Sequence, residues 1–250
     1  MRILLLGGTT EASALARRLA GRSAFSPLLS MAGRTSDPLP LPIPTRIGGF
    51  GGVEGLARFL REERIEAVVD ATHPFAAVMS RNVAKACAQA HVPLLALRRP
   101  PWSPQEGDRW MDVASMQDAV RALGEEPRRV FLTVGRLELP PFAAAPQHTY
   151  LVRTIEPIGD ALPVPNVMAI QDRAPFTETA ERVLMERERV DVVVTKNSGG
   201  AATYPKIAAA RALGLPVIVV ARPEKPCGVE EVATVDAALE WLERRHGRTP

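Results

Sequence analysis

Between an apolar run, Arg2 to Leu6, and an amphipathic one, Glu11 to Ala20, stands Gly7-Gly8-Thr9-Thr10-Glu11. Glycine lets a backbone come close to a phosphate, and the amides at a helix start point at an anion. The spacing meets the dinucleotide pattern G-x-G-x-x-G/A only in part. Gly7 and Ala12 take the outer positions, but Thr9 stands where the middle glycine belongs. Its hydroxyl offers a donor to a phosphate oxygen instead; a plain tight turn is the competing reading. The next strand-like run ends at Met31-Ala32-Gly33-Arg34-Thr35. Asp or Glu there would suit a ribose hydroxyl, whereas Arg34 with Thr35 suits a 2′-phosphate, so the cofactor expected is NADPH rather than NADH. An exposed loop arginine is the alternative. Gly49 lies in a further glycine-rich loop, Gly48 to Gly52.

Asp70-Ala71-Thr72-His73-Pro74-Phe75-Ala76 follows the fourth strand-like run. His73 is a candidate for acid–base chemistry near neutral pH, set against a structural histidine. Thr72 can cap the next helix, Pro74 fits its first turn, and Asp70 can accept from loop amides. In the second half, Thr195-Lys196-Asn197-Ser198-Gly199-Gly200 joins a cation, small polar side chains and a glycine pair ahead of a helical stretch, as an anion cradle does. The spacing is not that of a P-loop. Tyr204 and Lys206 are too close together for the Tyr-x-x-x-Lys pair of short-chain dehydrogenases.

These loops need strands and helices to hold them. Helical periodicity is expected at Glu11–Ala20, Val53–Glu63, Phe75–His91, Met116–Leu123, Thr177–Arg189, Ala201–Leu213 and Val235–His246. Apolar runs between them read as strands buried on both faces, and strict alternation with helices implies a doubly wound parallel sheet. The pattern restarts after Arg99-Pro100-Pro101-Trp102. Two α/β domains are therefore expected, 1–115 and 116–250, with similar architecture and no strong sequence repeat. Ligands of such sheets bind beyond the carboxyl ends of the strands, and every loop named above falls there, which points to a cleft between the domains.

Composition narrows the classes. Net charge is +3, and no basic run is interleaved with aromatics, so nucleic acid is not the expected partner. The two cysteines, Cys87 and Cys227, form no C-x-x-C pair and suggest no zinc site; Cys87 reads as a buried small hydrophobe. MRILLLGG is too short and too broken by glycine for a signal peptide, and no apolar stretch approaches a membrane span. A cytoplasmic protein without a membrane partner is expected. Its oligomeric state is open, a monomer being compatible.

Six segments, taken together and in order, resemble the precorrin-6A reductase family of cobalamin biosynthesis along nearly the whole chain. They are Gly7-Gly8-Thr9-Thr10-Glu11-Ala12, Ala32-Gly33-Arg34, Asp70 to Ala76, Arg99-Pro100 with Trp102, Thr133-Val134-Gly135-Arg136, and Thr195 to Gly200. The resemblance implies two Rossmann-like domains and an oxidoreductase acting on a CH–CH group. It also implies a nicotinamide dinucleotide, a tetrapyrrole held between the domains, and neither metal nor flavin. On that basis Gly7, Gly8, Thr9, Thr10, Glu11, Arg34, Thr35, Gly49, Thr72, His73, Gly135 and Arg136 are candidates to bind cofactor. Arg99, Arg136, Arg153, Lys196, Asn197, Ser198 and Gly199 are candidates for the polycarboxylate substrate. His73, Lys196 and water all remain open as the proton source. The alternatives are a cobalt-precorrin-6A reductase, and a non-catalytic dinucleotide-binding sensor.

Overall fold

The computed structural model describes residues 1–33 and 40–247. Along the chain come β1 (Arg2–Leu6), α1 (Thr10–Leu19), β2 (Ser26–Met31), β3 (Thr45–Ile47), α2 (Gly52–Glu62), β4 (Ala67–Asp70), α3 (Ala77–Ala90) and β5 (Leu94–Leu97). Then follow β6 (Arg109–Val113), α4 (Met116–Leu123), β7 (Arg129–Leu132), β8 (Thr149–Thr154), β9 (Val167–Gln171), α5 (Glu178–Arg187), β10 (Val192–Lys196), α6 (Pro205–Ala212) and β11 (Pro216–Val220). The last elements are β12 (Glu230–Val232) and α7 (Val235–His246).

The strands form two six-stranded sheets, ordered β12-β5-β4-β1-β2-β3 and β6-β11-β10-β7-β8-β9, and every pairing is parallel. The expected α/β class with two Rossmann-like sheets is what the chain adopts. In the first sheet the side chains of β1 alternate between two cores. Ile3 and Leu5 meet Ala12, Leu15 and Leu19 of α1 and Ala238, Leu239 and Leu242 of α7. Leu4 and Leu6 meet Leu56 and Leu60 of α2 and Val83, Ala86 and Cys87 of α3. That double burial is why β1 reads as an unbroken apolar run. Burial, with the charge of Asp70 adding to it, pushes the Cys87 thiol up to about 12, which makes it an inert core residue. In the second sheet Phe131, Val193, Val217 and Val219 pack with Met185 of α5 and Ile207 and Ala210 of α6.

The domain limits differ from those expected. One compact unit comprises Met1–Pro100 with Pro223–Pro250, and the other Pro101–Arg222. β6 lies within 1–115 yet pairs with β11; β12 and α7 lie within 116–250 yet join β5 and α1. β6 follows β5 in the chain and β12 follows β11, so each sheet takes as an outermost strand the one that the chain forms on leaving the other sheet. This topology brings out a correspondence not noticed from sequence. Pro93-Leu-Leu-Ala-Leu-Arg-Arg-Pro100 matches Pro216-Val-Ile-Val-Val-Ala-Arg-Pro223, and Val113-Ala-Ser-Met116 matches Val232-Ala-Thr-Val235. Ser115 and Thr234 cap their helices alike, accepting from the third amide onward, of Asp118 and Ala237.

Candidate functional site

At the carboxyl end of β1 two glycines are needed for different reasons. A Cβ on Gly7 would come 2.7 Å from the Leu29 side chain, so β2 requires a glycine there. Gly8 has φ +118°, and among the described residues nothing stands within 4 Å of where its Cβ would be. The turn is therefore strained for any other residue and leaves open space above it. Thr9 caps α1: its Oγ1 accepts from the Ala12 amide at 3.1 Å and donates to the Ala71 carbonyl at 2.8 Å. The hydroxyl proton expected to go to a phosphate is engaged here by the Ala71 carbonyl. The amides of a helix's first turn have no acceptor within the helix, and at α1 these include Thr10 and Glu11. Glu11 accepts from Arg99 at 2.7 Å, with Thr10 Oγ1 3.4 Å from the same nitrogen. Arg99, expected to hold substrate, therefore stands beside this loop.

Arg34 and Thr35 lie outside the described residues. Arg46, on β3, was missed in the sequence. It donates to Ser30 Oγ (2.8 Å), Gly48 O (3.0 Å) and Gly49 O (3.0 Å), and lies 4.0 Å over the Phe50 ring. It fixes the loop that contains Gly49. The only sequence signal was a cation next to a glycine-rich loop.

Asp70, buried at the end of β4, accepts from Thr72 N (3.1 Å), Thr72 Oγ1 (2.6 Å) and Ser80 Oγ (2.8 Å). Its expected role as acceptor for the loop is met. Thr72 is no helix cap, because α3 starts at Ala77 with no side-chain cap; its hydroxyl closes a turn onto Asp70. The His73 Nδ1 accepts from the Phe75 amide at 3.2 Å, which leaves the ring's proton on Nε2.

In the second unit β7 is followed by two short 3-10 turns, Arg136–Glu138 and Pro140–Ala144, in the place where α1 follows β1. Gly135 and Arg136 thus have no helix start behind them. Arg136 Nη1 reaches the Pro157 carbonyl at 3.5 Å. Glu138, also missed in the sequence, accepts from Lys196 Nζ at 2.7 Å, and its Oε2 would lie 2.5 Å from a Cβ on Gly135. Lys196 at the end of β10 therefore shares one corner with Gly135 and Glu138.

Other expected ligands are used elsewhere. Asn197 clamps the backbone of Trp102, accepting from its N–H at 2.8 Å and donating to its carbonyl at 2.9 Å. Arg222 donates to the carbonyls of Asn197 (2.8 Å) and Ser198 (3.1 Å), and the Trp102 indole donates to Gly200 O. The loop is thus held by backbone contacts, with Gly199 and Gly200 at positive φ, and α6 begins only at Pro205. Asn197, expected as a ligand, here clamps Trp102, and Lys196 has no α-helix start beside it. Arg153 is buried in a bidentate pair with Glu181, 3.7 Å over the Phe176 ring. It is corrected from substrate ligand to core ion pair.

The family model described as Precorrin-6x reductase CbiJ/CobK matches residues 2–243. The chain belongs to this family. It is 53% identical to a Sinorhizobium protein named precorrin-6A reductase, over 96% of this chain and 94% of that one. It is 49% identical to a protein of the same name from Rhodobacter capsulatus, over 100% and 98% of the two chains. A Salmonella typhimurium protein named cobalt-precorrin-6A reductase is 29% identical, over 96% of each. The solved structure titled "CobK precorrin-6A reductase" superposes with a TM-score of 0.93 at 49% identity, covering 100% of this chain and 98% of that one. Like the family, this chain is a reductase of Rossmann-like fold. Among the described residues no helix is long and apolar enough to cross a membrane, and no group of three metal-ligating side chains forms.

Proposed function

We propose that the protein reduces one carbon–carbon double bond of precorrin-6A with NADPH, in the cytoplasm, during cobalamin biosynthesis. The observation that carries the cofactor assignment is an asymmetry. Two sheets share one strand order; in the first a glycine turn runs from β1 into an α-helix, and in the second Gly135 runs from β7 only into a short 3-10 turn. The residues fit a dinucleotide: open space over Gly8 and the first-turn amides of α1 suit a pyrophosphate. Arg34 and Thr35 would take the 2′-phosphate, and Arg99 would add positive charge beside the helix start. When bound, NADPH supplies a hydride to one carbon of the double bond. A proton must reach the neighbouring carbon, from His73, Lys196 or water. Arg136 and Lys196, in the second unit, take carboxylates of the substrate. The relatives named for metal-free precorrin-6A, at 49% and 53% identity, favour that substrate over its cobalt form, whose named relative stands at 29%.

The test is oxidation of NADPH by purified protein given precorrin-6A, its cobalt-containing form, or neither. Turnover confined to the metal-free substrate is expected. Dinucleotide binding without turnover of either would leave a sensor. Arg34→Ala should weaken NADPH more than NADH, by roughly 1–3 kcal/mol for one charge-assisted contact. Equal losses for both dinucleotides would remove Arg34 from the 2′-phosphate.

A further inference from the structure

Six large apolar side chains of the second unit are exposed among the described residues: Met111, Leu137, Ile155, Val167, Met168 and Val183. Met111 lies on the edge strand β6, Val167 and Met168 on the edge strand β9, and Val183 on α5. Only Leu137 and Ile155 lie in loops that leave the carboxyl ends of strands. Their exposures are 64% and 47%. Leu137 is in the turn after β7, and Ile155 is the first residue after β8. These strands are parallel neighbours, with Leu132 opposite Val152, so they end side by side. The contact of Arg136 with the Pro157 carbonyl ties the two turns together. The residue before Leu137 is the cation Arg136; the residue after it, Glu138, holds Lys196.

Two branched aliphatic side chains held in water at the ligand-facing end of a sheet gain from any apolar surface laid over them. The cations beside them select an occupant that is flat and apolar at its centre and anionic at its rim. We propose that Leu137 and Ile155 form the floor under the macrocycle face of the substrate, with Arg136 and Lys196 at its carboxylate rim. This rests on the reading that the second unit binds the substrate. A stretch of peptide would satisfy the apolar pair but not the cations, and a free phosphate or short carboxylate would do the reverse. A carboxylated tetrapyrrole meets both.

The experiment uses the full chain and titrates precorrin-6A by its own absorbance, without NADPH, alongside NADPH binding and thermal midpoint. Leu137→Asn and Ile155→Asn should each weaken precorrin-6A about tenfold, the loss expected for one or two methylenes of apolar contact. Both should leave the NADPH Kd within twofold and the midpoint unchanged, since these side chains are exposed. Leu137→Met, which keeps the apolar area, should bind as the wild type does. Arg136→Gln and Lys196→Met test the underlying reading separately. If they weaken precorrin-6A while the asparagine variants bind normally, the floor is overturned and the substrate side stands. If no variant of either set weakens precorrin-6A, both fall. Loss of NADPH affinity in the asparagine variants would also overturn the proposal, by moving these loops to the cofactor.

Discussion

Arg153 and Lys196 are both basic residues in or at the end of strands of the second sheet, and their surroundings give them different work. Arg153 and Glu181 have side chains 4% and 2% exposed, so each charge depends on the other. Glu181→Gln should destabilise the protein by about 3–5 kcal/mol, because it leaves a buried guanidinium unbalanced. Replacing both, as Arg153→Met with Glu181→Leu, should restore much of that loss. Denaturant unfolding measures both, and the KM for precorrin-6A in the folded variants should not move. A raised KM with unchanged stability would return Arg153 to the substrate. Sequence could nominate these residues by type and position but could not tell them apart. Glu181 is 28 positions from Arg153, and Glu138 is 58 from Lys196, so neither pairing leaves a local pattern. Thr9, Thr72 and Asn197 were nominated for the same reason and proved to be holding their own loops. A side chain that offers a donor to a ligand offers it equally to a nearby carbonyl.

At the scale of elements, strands buried on both faces and helices with one apolar face could be read from the sequence, whereas the edge strand β12 and the turns after β7 could not. β12 is Glu230-Glu231-Val232, an outer strand with two exposed acidic residues and no alternation to detect. α6 was expected from Ala201 and starts at Pro205, a residue that suits the first turn of a helix. The turns between β7 and β8 were not anticipated, yet they carry a testable load. His148, just before β8, is fully buried, and its Nδ1 accepts from the Arg128 amide at 3.2 Å. Burial pushes its pKa below the ordinary 6.5, a hydrogen bond with Gly124 opposes this, and the charge of Arg128 adds to the depression. The unfolded chain therefore binds this proton more readily than the folded one. Its contribution to stability is complete above about pH 6.5 and declines as pH falls from there toward the folded pKa. The thermal midpoint should drop on acidification through that window, and His148→Asn should flatten the drop. An equally steep fall in the variant would place the acid sensitivity elsewhere.

At the scale of the whole molecule, the sequence showed two α/β repeats but not which strand closes which sheet. Chain order makes the break near residue 115 natural, because β6 and α4 follow β5 as a sixth strand and its helix would. Parallel pairing is decided by contacts far apart in sequence, and neither β6 nor β12 carries a local mark of the sheet that it joins. The consequence is that the units differ in how they can fold alone. Pro101–Arg222 is one continuous stretch with all six strands of its sheet, so as a fragment it should unfold cooperatively. A fragment of residues 1–115 lacks β12 and α7. Ala12, Leu15 and Leu19 of α1, with Leu95 and Leu97 of β5, would lose the cover of Ala238, Leu239, Trp241 and Leu242. Removing four large or medium apolar contacts from one face costs on the order of several kcal/mol, comparable to the whole stability of a domain. That fragment should therefore be a partly ordered, aggregation-prone species without a cooperative transition. Joining residues 1–100 to 223–247 through a short Gly/Ser linker should restore a cooperative fold, and this rejoined unit should bind NADPH, since it contains Gly7 to Glu11, Arg34 and Arg99. Denaturant unfolding and calorimetric NADPH titration of the three fragments give the answer. A cooperative, NADPH-binding 1–115 fragment would show that the last strand and helix are dispensable to the first unit. If the rejoined fragment folded but did not bind NADPH, the cofactor would have to be sought on the second unit.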